Sequence, residues 1–297
     1  MRYPQRTVDK KEREVFMPTQ SLSIEFNDSE AQFLNYVQSV NDICRDWPFI
    51  SSVVKLENAN LSWQMEYYER LSLIAVLQNF RPSVSIEIGT YSGGSLSVLS
   101  QYSQRVLSLD KNPLSSKYLA GHFSNVTYVV GDSKLELPRV LQQVERDQDG
   151  RTFVLVDGDH SQSGVLADIN NVLQFNPRYP TIIMMHDSFN PECRAGMLRA
   201  RWSENPYVHL VEIDFQHGSL FNRSNPLRQM WGGLALAILL PEKRMDMLTV
   251  SRRHDLLYQT VLAESCHKTP SWISKRLIRL GRTVRHLPVA LNIRSPQ

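Results

Sequence analysis

Residues 84–95 read VSIEIGTYSGGS, a short apolar strand that runs directly into a loop of small residues. The composition of VSIEI is typical of a buried strand, and the glycines that follow permit a tight turn and close approach of the backbone to a ligand. The glycine spacing, G-x-x-x-G-G, differs from the G-x-G-x-x-G dinucleotide pattern and from the phosphate-binding loop that ends in G-K-[ST]. The stretch therefore predicts a ligand site at the end of a strand, but not a dinucleotide site.

Strands and helices continue to alternate on the C-terminal side of this loop. Four further apolar segments are predicted as strands, at residues 105–110, 125–132, 152–157 and 181–187. Two later segments, 208–216 and 231–240, are expected to pair as an antiparallel hairpin around a loop at 217–230. Val- and Ile-rich strands that alternate with helices form mostly parallel sheets covered on both faces. We therefore predict a doubly wound α/β fold, with a seven-stranded, mostly parallel sheet and an antiparallel last strand.

The segments on either side of this region have a different character. Helical spacing of apolar residues predicts helices at about 27–47 and 61–79. Residues 251–297 carry nine Lys and Arg against two acidic residues, and their apolar side chains at 272–287 follow a basic amphipathic helix. Such a tail suits a docked helix, an oligomer contact such as a homo-oligomer interface, or peripheral contact with an anionic membrane. The predicted division is an N-terminal arm and helical cap (1–60), a central α/β domain (61–250) and a basic helical tail (251–297).

Composition and charge exclude several classes of protein. The formal net charge of +3 is too small to indicate a nucleic-acid-binding protein. Three widely separated cysteines, Cys44, Cys193 and Cys266, match no metal-binding spacing and are expected to be free thiols in a reducing compartment. The chain begins without the apolar core of a signal peptide and contains no apolar run of membrane-spanning length. A cytoplasmic protein that does not span a membrane is therefore expected.

Polar side chains cluster where the predicted strands end. In a doubly wound sheet, the carboxyl ends of the parallel strands meet at one edge, where ligands bind. A single carboxylate at a strand end is usually a helix cap, and Ser161 is expected to cap the helix that follows it. Five successive strand ends with polar groups instead indicate a site. These groups are Glu87 with Gly89, Asp110, Asp132 with Ser133, Asp157 with Asp159 and His160, and His186 with Asp187 and Ser188.

Two of these acidic residues indicate the class of ligand. Glu87, just before the turn, would repel a pyrophosphate but suits a ligand that carries an amine or a sulfonium. Asp110 lies 23 residues later at the end of the next predicted strand, where a carboxylate can accept both hydroxyls of a ribose. A positively charged nucleoside fits this pair better than a dinucleotide does.

Several segments resemble class I S-adenosylmethionine-dependent methyltransferases. They are EIGTYSGGS (87–95), SLD (108–110), GDS (131–133) and WGGLALAILL (231–240). Two more, VDGDHSQSGVLADI (156–169) and MMHDSFNPECRAG (184–196), resemble the group that includes macrocin-type sugar O-methyltransferases and cephalosporin-hydroxylase-like proteins. The resemblance covers about residues 65–240 and implies the Rossmann-like methyltransferase fold.

The resemblance also implies where S-adenosylmethionine would bind. Asp110 would bind the ribose, and Asp132 with Ser133 would lie at the adenine edge. The methionine part and the loop around it would be held by Glu87, Gly89, Tyr91, Ser92, Gly93 and Ser95.

On the acceptor side, the resemblance implies a metal site and a base. In metal-dependent relatives an aspartate ends strand four and an Asp-Asn pair ends strand five; Asp157, Asp187 and Ser188 occupy those positions here. Carboxylates without cysteine favour a hard cation such as Mg²⁺. Because Ser188 replaces the asparagine, Asp159 or a water could serve as the third ligand instead. A site that holds no metal is the remaining alternative. A lysine base in the relatives corresponds to His160, whose neutral imidazole can accept a proton near pH 7; a structural role is the alternative.

The sequence thus predicts an S-adenosylmethionine-dependent methyltransferase that acts on a hydroxyl of a sugar, glycoside or other small metabolite, with His160 and Asp157 as catalytic residues. His186 is expected to be a core residue or to lie behind the site. The Arg-rich region 188–230 is expected either to recognise the acceptor or to be a solvated loop. The alternative function is a non-catalytic S-adenosylmethionine-binding partner protein of the same fold, in a tailoring or glycan pathway.

Overall fold

The computed structural model describes residues 61, 63–221 and 228–268. The predicted helices at 27–47 and 272–287, together with Cys44, lie outside these residues. The strands are β1 (Val84–Ile88), β2 (Arg105–Asp110), β3 (Val126–Val130), β4 (Thr152–Val156), β5 (Thr181–His186), β6 (Val208–Phe221), β7 (Gln229–Leu239) and β8 (Val250–Ser251). The α-helices are α1 (Tyr67–Phe80), α2 (Gly94–Tyr102), α3 (Pro113–Tyr118), α4 (Ser133–Asp147), α5 (Gln162–Val172), α6 (Pro191–Arg199) and α7 (Asp255–Glu264). Short 3-10 helices span Trp202–Glu204 and Cys266–Lys268.

The strands form one sheet in the order β3-β2-β1-β4-β5-β7-β6-β8. Strands β1 to β5 are parallel to their neighbours, whereas β7 is antiparallel to both β5 and β6. The doubly wound, mostly parallel sheet with a late antiparallel strand is therefore confirmed. Within the described part of the chain it has eight strands rather than the predicted seven, because Val250–Ser251 pairs with β6. Two residues are too few to give a periodic pattern.

The central strands are buried on both faces, which explains their continuous apolar sequence. Along β4, Val154 and Val156 pack in one hydrophobic cluster with side chains of α4, α5 and α6. The alternate residues Phe153 and Leu155 pack in the other cluster, with side chains of α1 and α2. Because the order of strands reverses between β1 and β4, the carboxyl ends of these two strands flank the position where such sheets bind ligands.

The first part of the predicted basic tail packs against this domain. Tyr258 of α7 is buried against Phe189 and Met230. The guanidinium of Arg194 on α6 lies 4.1 Å from the centre of the Tyr258 ring and donates to Asp214 of β6 at 2.6 Å. Arg194 and Asp214 are both about 2% exposed. A buried ion pair therefore joins α6, β6 and α7.

Two smaller findings concern the cysteines and the membrane. Cys193 is buried and forms no disulfide within the described residues. Burial raises the pKa of the Cys193 thiol far above its usual value. Among the described helices, none is both long enough and apolar enough to cross a bilayer.

Replacement of Arg194 by methionine is expected to lower the free energy of unfolding by about 3–5 kcal/mol, because it leaves the buried Asp214 carboxylate without its cation. Urea unfolding at pH 7 followed by circular dichroism measures the change. The control is Arg199→Met on the same helix, where the side chain is exposed. Equal stability of the two variants would contradict a structural role for the buried pair.

Candidate active site

A cavity of about 850 Å³ opens at the carboxyl ends of the parallel strands. Its wall is built from the loops after β1, β2, β3, β4 and β5, together with the segment that precedes α1 and part of β7. The lining residues predicted from the sequence are Gly89, Tyr91, Ser92, Ser95, Asp110, Asp132, Ser133, Asp157, Asp159, His160 and Asp187. His186, which was expected in the core or behind the site, also lines the cavity. The structure therefore brings both halves of the predicted site into one cavity.

The loop after β1 lies directly against the end of β4. Gly89 has a φ of 95°, and a Cβ at this position would lie 2.1 Å from the carbonyl oxygen of Asp157. Only glycine therefore fits this turn. Gly93 is the N-cap of α2, and a Cβ there would lie 2.7 Å from the side chain of Leu119, so it shapes the loop from outside the lining of the cavity.

Glu87 lies beneath the loop and does not line the cavity. Its carboxylate is fully buried and accepts hydrogen bonds from Ser95 and Ser108, both at 2.6 Å. Burial raises the pKa of Glu87 from 4.5 to about 8. Glu87 therefore fixes β1, β2 and the start of α2 relative to one another, under the surface predicted to hold the cofactor.

The other predicted cofactor residues are held by local hydrogen bonds. Asp110 accepts from the backbone of Asn112 at 2.8 Å and of Tyr91 at 2.9 Å, which fixes its carboxylate at the cavity wall. Asp132 caps α4 by accepting from the backbone of Lys134 at 3.0 Å. Ser133 donates to Asp168 at 2.7 Å. Asp132 and Ser133 thus line the cavity while they also support the start of α4.

Two carboxylates and two imidazoles meet at the ends of β4 and β5. The Nδ1 atom of His186 lies 3.0 Å from Asp157 Oδ1 and 3.7 Å from Asp187 Oδ2. The Nε2 atom of His160 lies 3.4 Å from Asp157 Oδ1 and 3.3 Å from Asp187 Oδ2. Potential ligand atoms of Asp157, His186 and Asp187 all lie within 4.8 Å of one another. This is a compact set of two oxygen donors and one nitrogen donor.

The charges in this cluster shift one another's pKa values. Burial alone would lower the pKa of His186, but Asp187, Asp157 and Glu69 raise it well above its usual value. The hydrogen bond with Asp157 raises the pKa of His160. Burial and the nearby Asp157 charge raise the pKa of Asp187. The cluster is rich in negative charge and therefore stabilises a positive charge placed within it.

Ser188 and Asp159, which the sequence offered as third ligands, have other positions. Ser188 does not line the cavity, and its buried hydroxyl has no hydrogen-bond partner among the described residues. Asp159 accepts from the backbone of Ser161 at 2.9 Å, which stabilises the loop before α5. Ser161 caps α5 as predicted, by accepting from Gly164 at 3.1 Å. His186 is the residue whose ligand atom joins those of the two aspartates.

Glu69 and the Trp231-Gly232-Gly233 segment also belong to the site, although neither was predicted to do so from the sequence. Glu69 on α1 is fully buried, and its Oε2 lies 3.3 Å from His186 Nε2. The backbone of Gly232 donates to Asp187 Oδ1 at 2.6 Å, and that of Gly233 donates to Glu69 Oε1. The ring of Trp231 meets His160 edge-on, with centroids 5.7 Å apart. The paired glycines at 232 and 233 could have indicated close approach of the backbone within a strand. Nothing in the sequence around Glu69 indicated that it belongs to the site.

Replacement of Glu87 by glutamine is expected to change how stability depends on pH. Since the folded protein keeps Glu87 protonated up to about pH 8 while the usual pKa is 4.5, the neutral form stabilises the fold at low pH. That contribution is lost as the pH rises between these values, by about 1.4 kcal/mol per pH unit. Urea unfolding of both proteins from pH 4.5 to 9 should show wild type losing stability relative to Glu87→Gln.

The exposed Glu242→Gln variant is the control for this measurement. It is expected to follow the wild type across the whole pH range. A constant difference between wild type and Glu87→Gln at every pH would contradict the raised pKa of the buried carboxyl.

Comparison with protein families gives one match. Residues 86–188 match the family model described as a methyltransferase domain. These residues include the loop after β1 and the carboxyl ends of β1 to β5. A comparison with curated proteins gives no match.

Solved structures with similar folds include several methyltransferases. An O-methyltransferase from Bacillus cereus, in complex with SAH, is 18% identical with a TM-score of 0.44, over 74% of this chain and 96% of that chain. A putative O-methyltransferase from Klebsiella pneumoniae is 15% identical with a TM-score of 0.42, over 70% and 89% of the two chains. An rRNA methylase from Streptococcus thermophilus is 11% identical with a TM-score of 0.36, over 60% and 98%.

The methyltransferase domain match falls on the part of the sheet that carries the predicted cofactor loop. The strand order and the single antiparallel strand β7 agree with the fold predicted from the resemblance. The narrower resemblance to macrocin-type and cephalosporin-hydroxylase-like proteins stays a prediction. The protein carries a methyltransferase domain at residues 86–188, on the Rossmann-like sheet predicted from the sequence.

Proposed function

We propose that this protein is an O-methyltransferase that transfers the methyl group of S-adenosylmethionine to a hydroxyl of a sugar, glycoside or other small metabolite. The observation that carries the proposal is the position of His160 beside Asp157 and Asp187, in the same cavity as the loop after β1. The sulfonium supplies an already activated methyl group. The protein must therefore align the acceptor oxygen and remove its proton.

The first half of the cavity suits the cofactor. The Gly89 turn lets the backbone approach a ligand, and the Asp110 carboxylate keeps acceptor capacity for ribose hydroxyls beyond its two backbone bonds. Glu87 holds the loop from below rather than touching the ligand. We infer that the methionine part lies along the loop from Tyr91 to Ser95, with Asp132 and Ser133 at the adenine edge.

The other half of the cavity suits a small acceptor. Ligand sites for small molecules have volumes of about 300–1,000 Å³, and this cavity of about 850 Å³ has room for a cofactor beside a compact acceptor. Trp63, Met65 and Trp231 line it. The aromatic faces of Trp63 and Trp231 suit packing against sugar rings and other small rings. No arginine lines it among the described residues of the Arg-rich region 188–230, so we assign acceptor contacts to these side chains instead.

We propose His160 as the base. Its side chain is 45% exposed, and its Nε2 atom lies at the cavity between Asp157 and Asp187. The edge-on contact with Trp231 limits rotation of the ring. An imidazole held in this way can accept the proton of an acceptor hydroxyl as the oxygen attacks the methyl group.

The donor atoms of Asp157, Asp187 and His186 fit a divalent cation, since they lie within 4.8 Å of one another and the surroundings are negatively charged. When bound, such a cation lowers the pKa of a hydroxyl that it contacts. The imidazole among the donors suits Fe²⁺ or Zn²⁺ better than the predicted Mg²⁺, which prefers oxygen ligands, and the two carboxylates also suit Mn²⁺. We propose that these three residues hold the cation and that Ser188 does not.

Calorimetry is expected to show binding of S-adenosylmethionine and S-adenosylhomocysteine. In an activity assay, S-adenosylhomocysteine should be released when hydroxylated small molecules are added but not when RNA is added.

Asp110→Asn should weaken cofactor binding by about tenfold, because it removes a charge-assisted hydrogen bond worth about 1.5 kcal/mol. The exposed Asp149→Asn variant is the matched control. Binding of the cofactor without transfer to any acceptor would favour the non-catalytic partner protein, and transfer to RNA alone would refute the small-molecule acceptor.

Replacement of His160 by alanine is expected to lower kcat by about 10²–10⁴-fold while cofactor affinity is unchanged, because only proton transfer is lost. Asp157→Ala and treatment with EDTA should also lower the rate. The exposed His122→Ala variant is the control. The proposed base and cation are wrong if all three treatments leave the methylation rate at the wild-type value.

A further inference from the structure

We propose that Glu69 is a positioning residue, which holds the imidazole of His186 so that its Nδ1 atom faces Asp157 and Asp187. The inference rests on the proposed function, because it assigns His186 to the cation site of that function. Glu69 belongs to α1 and lies outside the matched methyltransferase domain at residues 86–188. Through its contact with His186, Glu69 would connect α1 to the proposed cation site.

The contacts of Glu69 support this role. Its Oε2 atom lies 3.3 Å from the Nε2 atom of His186, on the opposite side of the imidazole from Asp157. Because a carboxylate oxygen accepts, Nε2 carries the hydrogen of this bond. The other ring nitrogen, Nδ1, is thereby directed toward the two aspartates. A carboxylate behind a ligating histidine fixes the ring and its tautomer in many metal sites.

A capping role alone does not account for the position of Glu69. The backbone of Glu66 at the start of α1 donates to Glu69 Oε2 at 2.6 Å, as in an ordinary capping box. Such a glutamate caps a helix equally well at the protein surface. Glu69 is fully buried, which imposes a desolvation cost that capping does not repay. Its contacts with His186 and with Gly233 offset that cost.

The glycine pair of β7 holds the two acidic residues that flank His186. Gly232 donates to Asp187, and Gly233 donates to Glu69. Both glycines have positive φ, 75° and 83°, which turns these successive N–H groups toward the site. A Cβ on Gly232 would lie 2.5 Å from Glu69 Oε1, so a side chain there would displace the carboxylate. The backbone thus places Glu69 and Asp187 on either side of one imidazole.

Glu69→Gln tests the proposal, because glutamine keeps the size of the side chain and can still accept from Gly233, while the oxygen that faces His186 and the backbone of Glu66 becomes an N–H group. Its amide N–H group would face His186 Nε2 in place of the accepting carboxylate oxygen, so the imidazole would lose the partner that directs Nδ1 toward the aspartates. We expect Mn²⁺ affinity to fall by about 10–100-fold, as is typical when the partner of a ligating histidine is removed. Affinity for S-adenosylmethionine should not change. Mn²⁺ binding is measured by electron paramagnetic resonance, and cofactor binding by calorimetry.

A second readout needs neither metal nor acceptor. In the wild type without added ligands, NMR should detect a protected Nε2 proton of His186, assigned by its loss in His186→Gln. Glu69→Gln should lose this signal, whereas the exposed Glu242→Gln control should keep both the signal and the Mn²⁺ affinity. If circular dichroism shows that Glu69→Gln is unfolded, Glu69→Asp replaces it, because the shorter side chain keeps the charge but cannot reach His186.

The outcomes separate this inference from the proposed function. A folded Glu69 variant that retains the imidazole signal and binds Mn²⁺ as the wild type does would overturn the positioning role. Loss of both in the variant supports it. Absence of Mn²⁺ binding by the wild type would refute the cation of the proposed function, and the imidazole signal would then decide by itself whether Glu69 holds His186.

Discussion

The contact between the loop after β1 and the end of β4 is the constraint on which the site depends. At Gly89 the two backbones are so close that no side chain fits between them, and the amide of Asp157 donates to the carbonyl of Ile88 at 2.9 Å. This contact fixes the position of the predicted cofactor loop relative to the carboxylate of Asp157 at the carboxyl edge of the sheet. The distance between the loop after β1 and the Asp157 carboxylate is therefore set by main-chain geometry rather than by flexible side chains.

The second requirement of the site is to hold several acidic side chains close together. Glu69, Asp157 and Asp187 surround the imidazole of His186, and mutual repulsion would separate them if they were held only by packing. Backbone N–H groups of Gly232 and Gly233 bind two of the three. The antiparallel strand β7 thus fixes these two carboxylates, in addition to completing the sheet.

Much of the fold could be predicted because the central strands are buried on both faces. Continuous apolar runs gave the bounds of β1 and β2 to the residue, and parallel strands bring their carboxyl ends together wherever they lie in the sequence. The meeting of Asp157, His160 and Asp187 follows from that register. In contrast, the two-residue β8 has no periodicity to detect, and its position depends on tertiary contacts with β6.

The third donor of the cluster could not be predicted from the order of residues. Alternation along β5 places His186 and Ser188 on the same face, but Asp187 has a φ of 61° and turns the chain, so His186 stays in the cluster while Ser188 is buried elsewhere. Glu69 is separated from His186 by 117 residues, and a glutamate in the first turn of a helix is usually explained by capping.

These positions divide the site between two parts of the chain. Residues 86–188, the matched methyltransferase domain, contain the glycine loop, Asp110 and the donor atoms of the cluster. The groups that orient the cluster, Glu69 and the glycine pair of β7, lie on either side of that domain in sequence. Under the proposed function, the flanking segments could therefore change while cofactor binding is kept. Since Trp63, Met65 and Trp231 line the cavity from these same segments, changes in acceptor and changes in cluster geometry would be coupled.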